Sequence, residues 1–463
     1  MIENINLSDK KVLLRVDYNV PIENGLVLDD YRIKKSLQTI NYCLEQGAAI
    51  TIMSHLGRPN GIDESVSLRP VADRLSEILN KEVNPNIKIK INYEKNKTNK
   101  NNIKTNNNGF TRYDGKLKKI SKYKYSKIQY FNQYDPEISL YENNLIFFDN
   151  KGTILNFQEN SKLLWKKNYY SKIERKKNPI LFFSNNKNIL IVADTLARYY
   201  SIDLKSGDII WSKNNDAPFN SQIKILNNKF FVVDDNNILN CFSLKSGEKL
   251  WSYKTEKTLI KSQKKISIII KDNKVFFANS LGDITAIDSN SGKLLWQTPT
   301  QSKSVYEDAM FLKISDLVLA NNSIIFSNNM NEFFSLDETT GIINWKQLVN
   351  SSLRPTRVND FIFTVSEEGF LIIIDFKTGS IIRSTDLFKN LKKKVRKKTK
   401  PTGFIVGKKN LYLTTSTGRL FIAGIDNGKT ISIIKLDSGK ISRPVVLKES
   451  LFIAKNDSII KLN

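Results

Sequence analysis

His55 is the only histidine among the 463 residues, and Arg58 follows it three positions later. An arginine offers a planar fork of donors that matches a phosphate or a carboxylate. Both residues stand just past an apolar run, Ala48–Met53. Asp17 and Asn19 stand in the same way at the end of an earlier run, Lys11–Val16. Ligands of parallel α/β sheets bind at the carboxyl ends of strands, so the two pairs are expected to face an anionic metabolite. A lone histidine is more often structural than functional. Here its neighbours favour a place in a ligand loop.

The elements that would position these residues alternate in type. Asp29 and Asp30 occupy a helix N-cap, and Ile33, Leu37, Ile40 and Leu44 follow at helical spacing. Gly47 ends that helix. Ser67 caps a second helix that runs to Leu79, with Val71, Leu75 and Ile78 on one face. Arg69 and Arg74 read as its solvated side. The order β-α-β-α over residues 1–82 implies parallel strands. Two strands cannot bury both faces of such a sheet, so a truncated α/β segment is expected.

These motifs resemble the start of phosphoglycerate kinase. Arg15-Val-Asp-Tyr-Asn-Val-Pro21 resembles that family's first-strand motif, Asp29-x-x-Arg32-Ile33 its next element, and Ser54-His-Leu-Gly-Arg-Pro59 its substrate loop. Ser67-Leu-Arg-Pro-Val-Ala72 continues in register. The resemblance implies that Asp17, Asn19, Arg32, His55 and Arg58 line a 3-phosphoglycerate site. Arg32 and Arg58 would be the carboxylate and phosphate partners. It also implies phosphoryl transfer between 1,3-bisphosphoglycerate and ADP with ATP/ADP–Mg, on a second nucleotide-binding lobe. No Gly-rich phosphate loop followed by a helix occurs after residue 82. Phosphoryl transfer needs donor and acceptor held in line, so an active kinase is not expected and no catalytic residue is assigned.

The chain changes character after residue 82. Residues 1–82 carry 10 Lys/Arg against 12 Asp/Glu, a net of −2, whereas the rest carries 62 against 34, a net of +28. Residues 84–108 hold ten Asn and six Lys among 25 positions, and residues 83–115 read as a disordered linker. Cys43 and Cys241, far apart, offer neither a disulfide framework nor metal-ligand spacing. No apolar run is long enough to span a bilayer, and Met1-Ile2-Glu3-Asn4 shows no basic leader before an apolar stretch, so no secretory signal is expected. As written the chain is expected in the cytoplasm.

From residue 116 onward short apolar strands alternate with Asn, Asp and Gly turns, and no helical period is visible. The five tryptophans, Trp165, Trp211, Trp251, Trp296 and Trp345, close one phrase, as in Ser291-Gly-Lys-Leu-Leu-Trp296. Thr378-Gly-Ser-Ile-Ile-Arg383 repeats it with arginine, and Asn427-Gly-Lys429 repeats its turn. A second element, an Asn or Asp pair before an apolar strand, begins near residues 143, 188, 227, 272, 321, 359, 409 and 449. A strand-only period near 40–50 residues is the signature of a β-propeller. Eight blades are expected over residues 116–463, with seven as the alternative. The tryptophans would dock between blades, and a strand within residues 116–128 would complete the last blade and close the ring.

The phrase resembles the pyrroloquinoline-quinone-type propeller repeat, with Ala286-Ile-Asp288 through Trp296 the best match. Quinone-dependent dehydrogenases share that repeat, which would imply a Ca²⁺ site and a pair of adjacent cysteines. Cys241 stands alone, so neither a quinone nor a metal site is expected. The outer-membrane β-barrel assembly lipoprotein family also shares it. That resemblance implies a periplasmic, non-catalytic scaffold that binds protein segments by a propeller face or edge. The expected chain is therefore a monomeric fusion of a partial 3-phosphoglycerate-binding segment with a protein-binding propeller. The run Lys392-Lys-Lys-Val-Arg-Lys-Lys-Thr-Lys400 falls between repeats and reads as a solvated loop or an anionic-surface contact. With no recognition helix or stacking platform, specific nucleic-acid binding is not expected.

Overall fold

The computed structural model describes residues 7–83, less 9, 24, 55, 57–66 and 82, and residues 111–463, less 112, 114, 116, 256–260 and 301–311. The chain divides into two compact units, residues 1–89 and 90–463.

In the first unit, strands Lys11–Arg15 and Ala49–Met53 pair in parallel, and helices Tyr31–Glu45 and Arg69–Leu79 follow them in turn. Ile33, Ile40, Val71 and Leu75 are buried against Leu14 and Ile52 on one face of the pair. The other face stays open: Leu13 is 54% and Met53 48% exposed. A two-stranded sheet has no further strands to carry a covering layer, as the truncation implies. Two local expectations need correction. Asp30 is the N-cap of the first helix but makes no side-chain cap bond. Its carboxylate instead pairs with Arg74 (2.7 Å) and Lys34 (2.9 Å), so Arg74 is an anchor between helices rather than a solvated residue.

The second unit is mainly β. Eight four-stranded sheets are formed among the described residues, each in sequence order from its first strand to its fourth, with one exception. We number the blades by their first strands: Ser139–Tyr141, Leu181–Asn186, Lys224–Leu226, Ile268–Lys271, Val318–Ala320, Thr356–Val358, Pro401–Val406 and Val445–Leu447. Blade 8 takes its fourth strand from the other end of the unit. Lys119–Lys124 pairs antiparallel with Ser458–Leu462, placing Ile459 opposite Tyr123. Lys118 and Asn463 exchange backbone hydrogen bonds (2.7 and 3.0 Å) beyond that ladder. The ring is thereby closed and two sheet edges are eliminated.

The turns explain why the repeat needs its polar residues. Between first and second strands, Asn227, Asp272, Asn321 and Asn359 take positive φ of 50–53°. Asn and Asp tolerate that conformation better than other non-glycine residues. Between second and third strands, one acceptor gathers two backbone amides: Asp149, Asp194, Asp234, Asn279 and Asn328 do so in blades 1 to 5. Between third and fourth strands, Asp203, Asp288, Asp337 and Asp375 accept from the two amides before the glycine. The third and fourth strands of every blade meet through a register shift. Such bulges re-aim the side chain opposite them.

The core lies in layers between blades. Phe276, Ala286, Ile324 and Phe334 join blades 4 and 5, and Phe231, Cys241, Val275 and Phe277 join blades 3 and 4. Among the described residues three short helices interrupt the all-strand expectation: Phe131–Tyr134, Lys172–Lys176 and Lys393–Lys398. Each is shorter than two turns, too short for a 3.6-residue period to register in sequence. The second carries a capping box, Ser171 with Glu174. The third takes up most of the basic run read as a loop, and Arg396 pairs with Asp386 at 2.6 Å.

Candidate functional site

Of the residues expected around an anionic metabolite, the first unit places Asp17, Asn19 and Arg32 near one another, while His55 and Arg58 lie outside the described residues. The Arg32 guanidinium pairs with the Asp17 carboxylate, both about half-exposed. The Asn19 amide donates to Asp17 Oδ1 (3.2 Å), and the Tyr18 amide donates to Ser54 Oγ (2.8 Å), tying the ends of the two strands together. The strand ends thus form an open polar edge. Arg32, tethered to Asp17, is held where it could meet an oxyanion arriving at that edge.

In the propeller the tryptophans sit at blade junctions. The Trp165 indole donates to the Leu204 carbonyl of blade 2 (3.0 Å), and Trp211 donates to Leu244 of blade 3 (3.2 Å). Trp296 reaches Glu338 of blade 5 (3.2 Å) and Trp345 reaches Phe376 of blade 6 (3.1 Å). Trp251 occupies the same place, but its buried indole nitrogen has no hydrogen-bond partner. Each ring covers the turn glycine of the following blade: a Cβ on Gly207, Gly247, Gly292, Gly341 or Gly379 would come within 2.5–3.0 Å of it. Where the phrase carries Arg383, that guanidinium donates to the Asp426 carbonyl of blade 7.

The rim has a consistent chemistry. The fourth strands expose apolar side chains in every blade: Ile120, Leu164, Ile210, Leu250, Leu295, Ile343, Ile381 and Ile431 are 41–64% exposed. These are the outermost strands of their sheets, so their outer backbone groups have no sheet partner.

The channel has a different chemistry, which sequence reading missed. Glu137, Asp316, Arg354 and Arg443 each stand two residues before the first strand of blades 1, 5, 6 and 8. Lys264 and Lys265 precede the first strand of blade 4, and Lys224 opens that of blade 3. Lys265 pairs with Glu137 (2.8 Å); Lys264 lies 3.9 Å from Asp316 and donates to the Ser352 carbonyl (2.7 Å). Burial, aided by the Arg354 charge, pulls the Lys224 ammonium down to about 8, and the same two causes bring Arg443 down to about 10. For Asp316 burial acts upward, but Lys264 and Arg354 outweigh it and hold its carboxyl well below the usual range. These positions carry no motif. Only the common offset of Glu137, Asp316, Arg354 and Arg443 from their first strands, visible once the blades are placed, could have signalled them.

A closed ring of eight blades with an indole at each of five junctions defines a β-propeller of the pyrroloquinoline-quinone repeat class. Among solved structures, BamB from Moraxella catarrhalis aligns over 75% of this chain and all of its own, at 14% identity and a TM-score of 0.62. Quinohemoprotein alcohol dehydrogenase from Comamonas testosteroni covers 77% of this chain and 78% of its own at 9% identity, with a TM-score of 0.59. The family model of the outer membrane protein assembly factor BamB matches residues 150–385, just over half of the chain. The chain belongs to that family.

The first unit is similar to a different family. The phosphoglycerate kinase model matches residues 2–109. The phosphoglycerate kinase of Dictyoglomus turgidum is 51% identical over 78 residues, and that of Roseiflexus castenholzii 56% over 79, in each case 17% of this chain and 20% of the relative. The chain spans about a fifth of the length of these curated relatives. No helix among the described residues is long and apolar enough to cross a membrane.

Proposed function

We propose that this protein is a non-catalytic, monomeric scaffold that binds protein segments in the assembly of outer-membrane β-barrel proteins. Residues 1–82 are a truncated phosphoglycerate-kinase-like segment, residues 83–115 a linker, and residues 116–463 the propeller. The observation that carries this reading is the rim, where eight open outer strands each present an exposed apolar side chain. An extended strand of a partner finds there both free backbone groups and apolar contacts, the two components of strand addition. The scaffold works without quinone or Ca²⁺, since Cys241 has no adjacent cysteine. The basic helix Lys393–Lys398 lies on the same unit and favours an anionic surface beside the partner. Affinity capture of the full chain from a mixture containing a purified β-barrel assembly complex tests the reading. Co-purification of that complex is expected, and recovery of the chain alone contradicts it.

A second reading rests on the 51–56% identity of the first unit and on the Asp17–Arg32 edge: that unit binds 3-phosphoglycerate through Asp17, Asn19, Arg32, His55 and Arg58. Phosphoryl transfer additionally needs a nucleotide held in line, and the match to these relatives covers a fifth of their length. A coupled assay of ATP formation from 1,3-bisphosphoglycerate and ADP is expected to show no turnover. Turnover would make the kinase reading the correct one.

A further inference from the structure

One end of the propeller channel holds more positive charge than its own residues neutralise. Lys224, Lys264, Lys265, Arg354 and Arg443 lie within electrostatic reach of Glu137 and Asp316, five positive groups against two negative ones in this cluster. Lys265 is paired with Glu137, and Lys264 is shared between Asp316 and the Ser352 carbonyl. Arg443 donates from Nε to the Phe404 carbonyl (3.2 Å). Neither Lys224 nor Arg354 has an ion-pair partner within 4.0 Å among the described residues, and the buried Arg354 Nε has no hydrogen-bond partner of any kind. Leaving a buried charged donor unpaired is among the most destabilising arrangements a fold can carry.

We propose that this end of the channel binds a small multivalent oxyanion of the phosphate class. Arg354 and Arg443 supply forked donors and Lys224 a point charge, the combination that suits tetrahedral oxyanions. Glu137 and Asp316 act on the arginines only at longer range, since their ion pairs within 4.0 Å are with the lysines of blade 4. The residues come from blades 1, 3, 4, 5, 6 and 8, so an anion bound among them links blades distant in sequence. This site is separate from the rim, and it stands or falls independently of the scaffold reading.

The test follows thermal unfolding of the full chain by tryptophan fluorescence, with sodium phosphate replacing sodium chloride at constant ionic strength. For the unaltered chain the unfolding temperature rises with phosphate and saturates, as binding to the native state requires. Arg354→Gln loses that rise and, in chloride alone, unfolds no lower than the unaltered chain, because a crowded charge has gone. Lys393→Gln, on the basic helix outside the channel, retains the rise. A phosphate effect equal in all three chains indicates general screening and overturns the proposal. An Arg354→Gln chain that unfolds well below the unaltered one in chloride shows a structural arginine and also overturns it. Calorimetric titration of phosphate into the unaltered chain provides the direct check: saturable binding is expected, and its absence refutes the site.

Discussion

The hydroxyl of Tyr123, on the strand that precedes all eight first strands, donates to the carbonyl of Glu159 in blade 1 at 2.5 Å. It stands two residues beyond the register position that the tryptophans hold and reaches the matching turn of the next blade. Glu159 is held a second time from blade 8, by Lys448 (2.8 Å) and Lys461 (3.3 Å). The junction between the two ends of the propeller is therefore built by substitution: a phenol and a carboxylate stand where five other junctions use an indole and one an arginine.

Because that junction closes the ring, its loss exposes two sheet edges rather than loosening one blade. Tyr123→Phe removes one hydrogen bond and is expected to cost about 1 kcal/mol. Tyr123→Ala also leaves a cavity in the aromatic cluster with Phe157 and Phe452 and should cost about 3–5 kcal/mol. Denaturant titration measures both. A Tyr123→Ala chain as stable as the unaltered one would show that the closing strand contributes little.

The tryptophan–glycine contact makes an asymmetric prediction. Gly247 has φ 69°, and a Cβ there would lie 2.6 Å from the Trp211 ring. Gly247→Ala combines left-handed strain with overpacking and should cost about 2–4 kcal/mol. Blade 1 carries Ser161 at the equivalent turn position with φ 71°. Ser161→Gly relieves the backbone alone and should stabilise by about 1 kcal/mol. Opposite signs in the two midpoints are expected.

Trp211 and Trp251 differ in one respect that can be read out. Trp211 donates to Leu244, whereas the Trp251 indole nitrogen is buried without a partner. Replacing each by phenylalanine removes similar apolar area, but only Trp211→Phe loses a hydrogen bond. Trp211→Phe should therefore destabilise by about 1 kcal/mol more than Trp251→Phe. Equal losses would mean that the junction bond carries no net energy.

Asp194 gives a pH signature. Burial pushes its carboxyl up to about 6, against the hydrogen bond it accepts from Tyr170 and two backbone amides. A folded-state value above the unfolded one means the neutral acid is the form the fold favours. Its stabilising contribution is complete below about pH 4 and is lost as pH rises through about 6, by at most about 3 kcal/mol. Asp194→Asn, the residue type that blades 4 and 5 use at this turn as Asn279 and Asn328, should abolish that slope. Stability curves of the two chains between about pH 4 and 7 provide the comparison.

Much of the propeller was legible because its turns and junctions need particular residue types. Polar turns, most of them containing Asn or Asp, fall where the eight second strands begin, and the closing strand expected within 116–128 is Lys119–Lys124. In the first unit the 3.6-residue spacing of Ile33, Leu37, Ile40 and Leu44 gave helix Tyr31–Glu45. What could not be read was set by tertiary geometry. Tyr123 stands out of register with the phrase it replaces, so no repeat marked it. The channel charges carry no motif, so the shared offset of Arg354 and Arg443 from their first strands could be seen only once those strands were placed. Asp30 had the type of a cap but found Arg74, a partner 44 positions away.

The central claim is that the propeller binds a protein partner without help from the first unit. Titration of a purified β-barrel assembly complex into the full chain and into a chain lacking residues 1–108, followed by calorimetry, measures it. The account predicts the same affinity for both. No binding by either, or binding that vanishes with residues 1–108, would contradict it.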